Sequence, residues 1–308
     1  MLSRPDVLVL GGGGLIGVEW LMGVLAGIED ASGFDLRDCE HFVGTSAGSI
    51  VSARLAAGRR PRRPSASSTE LEPASVPQVG NGFAAAALDV ARRASELTLA
   101  ATAPVAPLML AASGPGGALM RAGVLTRIAR PHRTLDDLRE HVDGYGARFD
   151  GRLRVATVDR IRGRRVMFGS PGAPRASVGE AVAASCSVPW LFAPVWIAGR
   201  EYVDGGVWSA TNLDAAPAGR DTHVLCLNPT AGVGGTHTLM SVARRLARSA
   251  VSVEALALRR KGAIVQTVAP DMDSAAAMGG DFMDPEPRKR VLAAGYRQGL
   301  RLASSPRG

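Results

Sequence analysis

Short apolar runs alternate with helical patterns of apolar residues over the first part of the chain. Val7–Leu10 is a run of four apolar residues directly before a row of glycines, which is typical of a buried parallel strand. After the glycines, apolar residues recur at the spacing of one helix face, so a helix is predicted to begin near Gly17. A second strand is predicted at His41–Val43 and a second helix from Ile50 toward Ala57. This repeated strand–loop–helix order predicts a right-handed α/β unit.

The same alternation resumes after Gly116. Strands are predicted at Leu153–Thr157, Val166–Phe168, Val224–Leu227 and Ala263–Val268. Helices are predicted at Leu135–Val142 with Thr134 as N-cap, from Ser177 as N-cap to Cys186, at Leu239–Arg260, and from Arg288 to about Leu302. The length of 308 residues allows one large domain or two small ones.

The stretch 58–116 interrupts this alternation. Arginines, prolines and serines dominate its first part, which predicts a mobile loop up to Gly82. Residues 97–112 then carry no charge, but Pro104 and Pro107 break the run, which is too short for a membrane span. Two interpretations stay open for this segment: a helix pair buried on the core, or an apolar cap over a site that can touch a bilayer.

Composition narrows the class of protein. Apolar residues make up 46% and charged residues 21%, which is typical of a globular chain and excludes a disordered, fibrous or polytopic membrane protein. A net charge of +8 is compatible with anionic lipid surfaces, but aromatic residues do not interleave with the arginines as in nucleic-acid-binding motifs, so no nucleic-acid partner is expected. The odd count of three cysteines favours a reducing compartment, and we expect a cytoplasmic protein.

Two glycine motifs follow the first two predicted strands. Gly12-x-Gly14-x-x-Gly17 matches the dinucleotide-binding fingerprint, but the acidic residue expected after the next strand is missing. Gly44-x-Ser46-x-Gly48 stands between a strand and a helix, as a nucleophile elbow does. Because adjacent parallel strands end at the same edge of a sheet, the amides of Gly12–Gly14 could face an oxyanion formed at Ser46.

A serine nucleophile needs a base that accepts its proton. None of the five histidines stands at the carboxyl end of a predicted strand. Asp204 ends a short apolar run and precedes Gly205 and Gly206, which makes it the better candidate, although Asp-Gly is also an ordinary turn.

Together, these residues resemble the patatin-like phospholipases. The resemblance rests on four segments in order: Gly12–Gly17, Gly44–Gly48, Ala184–Pro189, and Asp204–Gly206. Met283-Asp284-Pro285 and Gly295-Tyr296 also look like bacterial members of the family.

The resemblance implies a three-layer α/β fold with a mostly parallel central sheet and helices on both faces, in a single domain over 1–308 with 58–116 as an insertion. It also implies a catalytic dyad of Ser46 and Asp204 that cleaves lipid acyl esters, an oxyanion hole from Gly12, Gly13 and Gly14, and no metal or other cofactor. One departure is Ile16, where the family usually has Arg or Lys.

Three alternatives stay open. The first is an α/β-hydrolase in which His223 or His237 completes a Ser-Asp-His triad. The second is a dinucleotide-binding protein, and the third is a non-catalytic lipid-binding module. Independently of these, two interpretations stay open for the arginines at 59, 60, 62 and 63: peripheral contact with anionic headgroups, with 97–112 inserting shallowly, or a solvated basic loop beside a buried helix.

Overall fold

The computed structural model describes residues 2–65, 117–231 and 250–304. These residues contain an eight-stranded mixed sheet. Its strands are β1 (Val7–Leu10), β2 (His41–Thr45), β3 (Leu153–Asp159), β4 (Arg165–Phe168), β5 (Val195–Ile197), β6 (Arg200–Asp204), β7 (His223–Leu227) and β8 (Ile264–Val268). The helices are α1 (Gly14–Ser32), α2 (Ala47–Ala56), α3 (Ala118–Arg127), α4 (Asp136–Asp143), α5 (Val178–Cys186), α6 (Met272–Met278) and α7 (Arg288–Ser304), with a further helical segment over 250–260.

The centre of the sheet is parallel. β1 pairs in parallel with β2 and with β7, β2 pairs in parallel with β3, and β7 pairs in parallel with β8. Every residue of β1 is fully buried, which explains its unbroken apolar sequence. The glycine loop after β1 and the turn after β2 therefore lie side by side at the carboxyl edge of the sheet, as predicted.

Helices cover both faces of the sheet. Leu8 and Leu10 of β1 pack with the apolar residues of α1 and α2 on one face. Val7 and Val9 point the other way and pack with Val251, Ala255 and Leu258 of the helical segment 250–260. The alternation of side chains along β1 thus separates two cores, and the three-layer α/β architecture is confirmed.

The pairing of β3 determines how the edge of the sheet is built. Val155 and Ala156 pair with β2 on one side and with the antiparallel β4 on the other. Thr157 and Val158 still pair with β4, so their second partner, the antiparallel β6, must lie on the same side of β3 as β2. Strands β2 and β6 therefore meet end to end along β3, with Thr45 opposite Ala156 and Asp204 opposite Thr157.

Several sequence expectations change in detail. Thr134 does not cap α4, because the residue at that N-cap is Leu135 and it makes no capping side-chain bond. Ser177 does cap α5, in a capping box with Glu180. The sequence analysis did not predict α3 or α6, which are only ten and seven residues long. Most of the predicted 58–116 insertion and the first part of the helix predicted at 239–260 lie outside the described residues.

The start of the insertion is tied to the fold by ion pairs. Arg62 pairs with the buried Glu19 of α1 at 2.6 Å, and Arg63 pairs with Glu29 at 3.1 Å and with Asp30 at 2.7 Å. This first part is a loop, as predicted, and its arginines contact the carboxylates of α1. Among the described residues, no helix combines the length and apolar character needed to cross a bilayer.

Candidate functional site

Ser46 occupies a sharp turn between β2 and α2. Its backbone has φ 50° and ψ −120°, a left-handed conformation that residues other than glycine rarely adopt. The flanking glycines make this turn possible, since a Cβ at Gly48 would overlap the carbonyl of Leu10 and one at Gly44 would lie 2.5 Å from the Cα of Ser49. The turn leaves the Ser46 side chain partly exposed at the N-terminus of α2.

Asp204 is brought to Ser46 by the end-to-end arrangement of β2 and β6. Its carboxylate lies close enough to the Ser46 hydroxyl for that group to lower its pKa, and its Oδ1 accepts the N–H of Gly206 at 2.6 Å. Asp204 is 4% exposed, and its own N–H donates to the carbonyl of Ser187 at 3.0 Å. The structure therefore joins the two residues that the sequence predicted as nucleophile and base.

Burial dominates the acidity of this carboxyl group. Loss of hydration raises the pKa of Asp204 to about 7, while the hydrogen bond from Gly206 and the nearby Ser46 hydroxyl lower that pKa. A carboxyl group with a pKa near neutrality can accept a proton and return it at ordinary pH, as general acid–base catalysis requires.

The glycine loop lies against Ser46. A Cβ on Gly12 would stand 3.4 Å from the Cβ of Ser46. The Gly12 N–H is already used, because it donates to the carbonyl of Ala210 at 2.8 Å. Within the described parts of the chain, the N–H groups of Gly13 and Gly14 donate to no acceptor. The Gly12 N–H is therefore not free to bind an oxyanion, and the N–H groups of Gly13 and Gly14 at the N-terminus of α1 remain as candidate donors.

A C-terminal segment fixes the shape of this loop. The carbonyl of Phe282 accepts the N–H of Ile16 at 3.2 Å, and a Cβ on Gly14, whose φ is 60°, would stand 2.6 Å from the same oxygen. Met283 lies beside it. The Met283–Pro285 stretch quoted for the resemblance thus supports the glycine loop. Ile16 itself is fully buried in the core.

Ser185 is a residue of the site to which the sequence analysis gave no role. Its fully buried hydroxyl accepts the N–H of Ser46 at 2.9 Å and donates to the carbonyl of Ala156 at 2.7 Å. It therefore holds the strained turn on β3. The signal was present, because Ser185 belongs to the Ala184–Pro189 segment on which the resemblance rests.

We expect Ser185→Ala to lower kcat by about 10- to 100-fold, because the Ser46 N–H loses its partner and the nucleophile shifts. Ser187→Ala is the matched control, since the buried Ser187 hydroxyl donates only to Ala183 of its own helix at 2.9 Å. Both variants should lose about 1–3 kcal/mol of stability, measured by urea unfolding. Equal kcat values for the two variants would contradict a positioning role for Ser185.

Asn212 is a second site residue that the sequence did not indicate. Its buried side-chain amide donates to Thr45 Oγ1 at 3.1 Å and to the carbonyl of Gly205 at 3.3 Å. It therefore links the residue before Ser46 to the residue after Asp204. The preceding Ala210 carbonyl holds Gly12, so this one segment contacts all three parts of the site.

Cys186 also lies against Ser46. Its thiol lies 4.0 Å from Ser49 Oγ and close enough to Ser46 to be influenced by that residue, and burial raises its pKa far above the ordinary range. The thiol therefore stays protonated and is a poor nucleophile beside Ser46.

The described histidines lie away from the site. His41 and His223 begin β2 and β7 and so stand at the opposite edge of the sheet from Ser46. His141 is on α4, and His132 is exposed before that helix. His237 lies outside the described residues. Within residues 2–65, 117–231 and 250–304, no three His, Cys, Asp or Glu side chains are grouped as a metal site would need.

Comparison with known proteins identifies the family of the chain. The sequence model of the family described as patatin-like phospholipase matches residues 8–217, which include Ser46, Asp204 and the glycine loop. Among the curated proteins, no sequence matches the chain.

Two solved structures are similar to the chain. The crystal structure of VipD from Legionella pneumophila matches with a TM-score of 0.41 and 16% identity, over 98% of this chain and 67% of VipD. The crystal structure of the type III effector protein ExoU matches with a TM-score of 0.33 and 17% identity, over 97% of this chain and 52% of the ExoU chain. The chain thus spans about half the length of ExoU. Since the family match covers well over half of the sequence, this chain belongs to the patatin-like phospholipase family.

Proposed function

We propose that this protein is a serine hydrolase of lipid acyl esters that uses Ser46 and Asp204 as a catalytic dyad. The observation that carries the proposal is the end-to-end meeting of β2 and β6, which places the Ser46 hydroxyl beside the buried carboxylate of Asp204. Family membership supports a lipid substrate, and the pKa of Asp204, raised to about 7 by burial, supports its role as a base.

In the proposed reaction, the Ser46 oxygen attacks the ester carbonyl carbon while its proton passes to Asp204. The tetrahedral intermediate collapses, the alcohol leaves with the proton from Asp204, and the acyl group stays on Ser46. Water then attacks the acyl-enzyme with Asp204 again as base, which releases the fatty acid and restores the serine.

The negative charge of the intermediate needs donors beside Ser46. The N–H groups of Gly13 and Gly14 are suited to this, because they stand at the N-terminus of α1, where the helix dipole favours an anion. Gly12 serves instead as the close neighbour of Ser46, because its own N–H is bound to Ala210. The buried Ile16 brings no charge to the loop, and the contact with Phe282 holds the loop in place.

The proposed dyad needs no histidine. A Ser-Asp-His triad through His223 would require that residue to cross from the other edge of the sheet. A dinucleotide-binding site would need an acidic residue at the end of the second strand. Here β2 ends at Thr45, and Ser46 follows directly.

A fluorophosphonate probe tests the proposal directly. We expect the folded protein to be labelled at Ser46, identified by peptide mass spectrometry, because the probe reacts with activated serines. Urea-unfolded protein should not react, since unfolding separates Ser46 from Asp204. Labelling at another residue of the folded protein would contradict Ser46 as the nucleophile, and no labelling at all would favour the non-catalytic lipid-binding alternative.

A further inference from the structure

We propose that the end of the molecule formed by the β5–β6 hairpin, the β3–β4 turn and the start of α3 docks on the surface of an anionic lipid bilayer. We call this surface the hairpin end. The inference rests on the proposed function, because it gives the hydrolase a way to meet a lipid substrate.

The hairpin end lies on the same side of the sheet as Ser46. β3 runs three residues past the partner of Thr45, to Asp159, which is about 10 Å at the usual rise of a strand. β6 leads from Arg200 at its outer end back to Asp204 beside Ser46, and Trp196 pairs with Glu201 near that outer end. The hairpin therefore extends outward from the dyad.

Large apolar side chains are exposed there. Trp196 is 65% exposed and Ile161, in the β3–β4 turn, is 56% exposed. The helix α3 packs against the same turn, since a Cβ on Gly163 would overlap the carbonyl of Ala118, and α3 adds the exposed Leu119 and Met120. An exposed tryptophan beside aliphatic residues suits the headgroup region of a bilayer, where an amphipathic ring partitions well.

The charge of the hairpin end complements an anionic surface. Arg162 and Arg164 are exposed, and in the described parts of the chain neither of them pairs with a carboxylate. The local acids are occupied, because Glu201 is bound by Arg160 at 3.0 Å and Asp159 by Arg200 at 3.4 Å. This leaves basic side chains beside the exposed Trp196 and Ile161, and exposed apolar side chains next to positive charge suit the surface of an anionic bilayer.

The arginines that the sequence analysis proposed for headgroups are less suitable. Arg60, Arg62 and Arg63 form ion pairs with carboxylates of α1 or of Asp35. Arg59 donates to the carbonyl of Gly144 and stacks over Tyr145. A headgroup could bind these arginines only after these contacts had broken. Among the described residues, Arg162 and Arg164 at the hairpin end have no ion pair to break.

The test is co-sedimentation with vesicles of phosphatidylcholine alone or with phosphatidylglycerol, with every variant made in a Ser46→Ala background so that no lipid is cleaved. We expect binding to the phosphatidylglycerol vesicles that weakens as salt rises. R162Q/R164Q should weaken it by about 25-fold, at roughly fivefold per arginine. Trp196→Ala should weaken it on both kinds of vesicle.

R260Q/K261Q is the matched control. It removes two exposed charges at the turn before β8, which lies at the other end of the strand order and at the opposite edge of the sheet. It should bind as the parent does. If R162Q/R164Q and Trp196→Ala bind as tightly as the control, the hairpin end is not the docking surface.

Activity separates this proposal from the proposed function. With Ser46 intact, Trp196→Ala should keep its kcat on a soluble nitrophenyl ester but hydrolyse vesicle lipid more slowly. Vesicle binding without any hydrolysis by the wild-type protein would contradict the hydrolase and leave the docking surface standing. Equal losses on both substrates would contradict the docking role of Trp196.

Discussion

Replacing Ser46 with alanine is expected to lower kcat/KM on a soluble nitrophenyl ester by at least about 10⁴-fold, because no other nucleophile stands beside Asp204 in the described site. Cys186 cannot substitute, since burial raises its thiol pKa. Steady-state kinetics measures this, and circular dichroism should show an unchanged fold. Retained activity in Ser46→Ala would overturn the dyad.

Ser46→Gly tests the backbone strain of the turn separately from the chemistry of the serine hydroxyl. It removes the nucleophile as completely as alanine does, but glycine adopts a φ of 50° without strain. We therefore expect Ser46→Gly to be inactive and more stable than Ser46→Ala by about 1 kcal/mol in urea unfolding. Equal stabilities would mean that the turn stores little strain.

The central strands were predictable because their sequences report burial directly. β1 is apolar at every position, and the structure begins and ends it at the predicted residues Val7 and Leu10. The loops after β1 and β2 could also be placed together, since parallel strands end at one edge. Strand β5 was not predicted, because three residues with an exposed Trp196 carry no alternation that a pattern could detect.

The site was predictable in its residues but not in its geometry. The sequence indicated Ser46 and Asp204 by their glycine motifs, but it could not show that β6 runs antiparallel and continues the line of β2 along β3. Nor could it show that Ala210 occupies the N–H of Gly12, because that bond joins segments far apart in the chain. Contacts of this kind depend on tertiary packing alone.

Replacing Asp204 with asparagine is expected to lower kcat/KM by on the order of 10³-fold, because an amide cannot accept the Ser46 proton. In the wild-type protein, Asp204 acts as a base only when ionised, and burial raises its pKa to about 7. Wild-type kcat/KM should therefore rise about tenfold per pH unit up to about pH 7 and level off above it. An activity profile that is flat between pH 5 and 8 would exclude Asp204 as the base.

Asp204→Asn is expected to raise the stability of the fold although it lowers the activity. The folded protein holds the Asp204 proton up to about pH 7, whereas an unfolded aspartate loses it near its ordinary pKa of about 3.9. Ionising the buried carboxyl group therefore costs the wild type up to about 1.4 kcal/mol per pH unit between these values. Asp204→Asn escapes this cost, so its advantage in urea unfolding should grow from pH 5 to about pH 7 and level off above that. If the two proteins instead lose or gain stability in parallel over that range, the carboxylate is already ionised at pH 5, and the raised pKa is wrong.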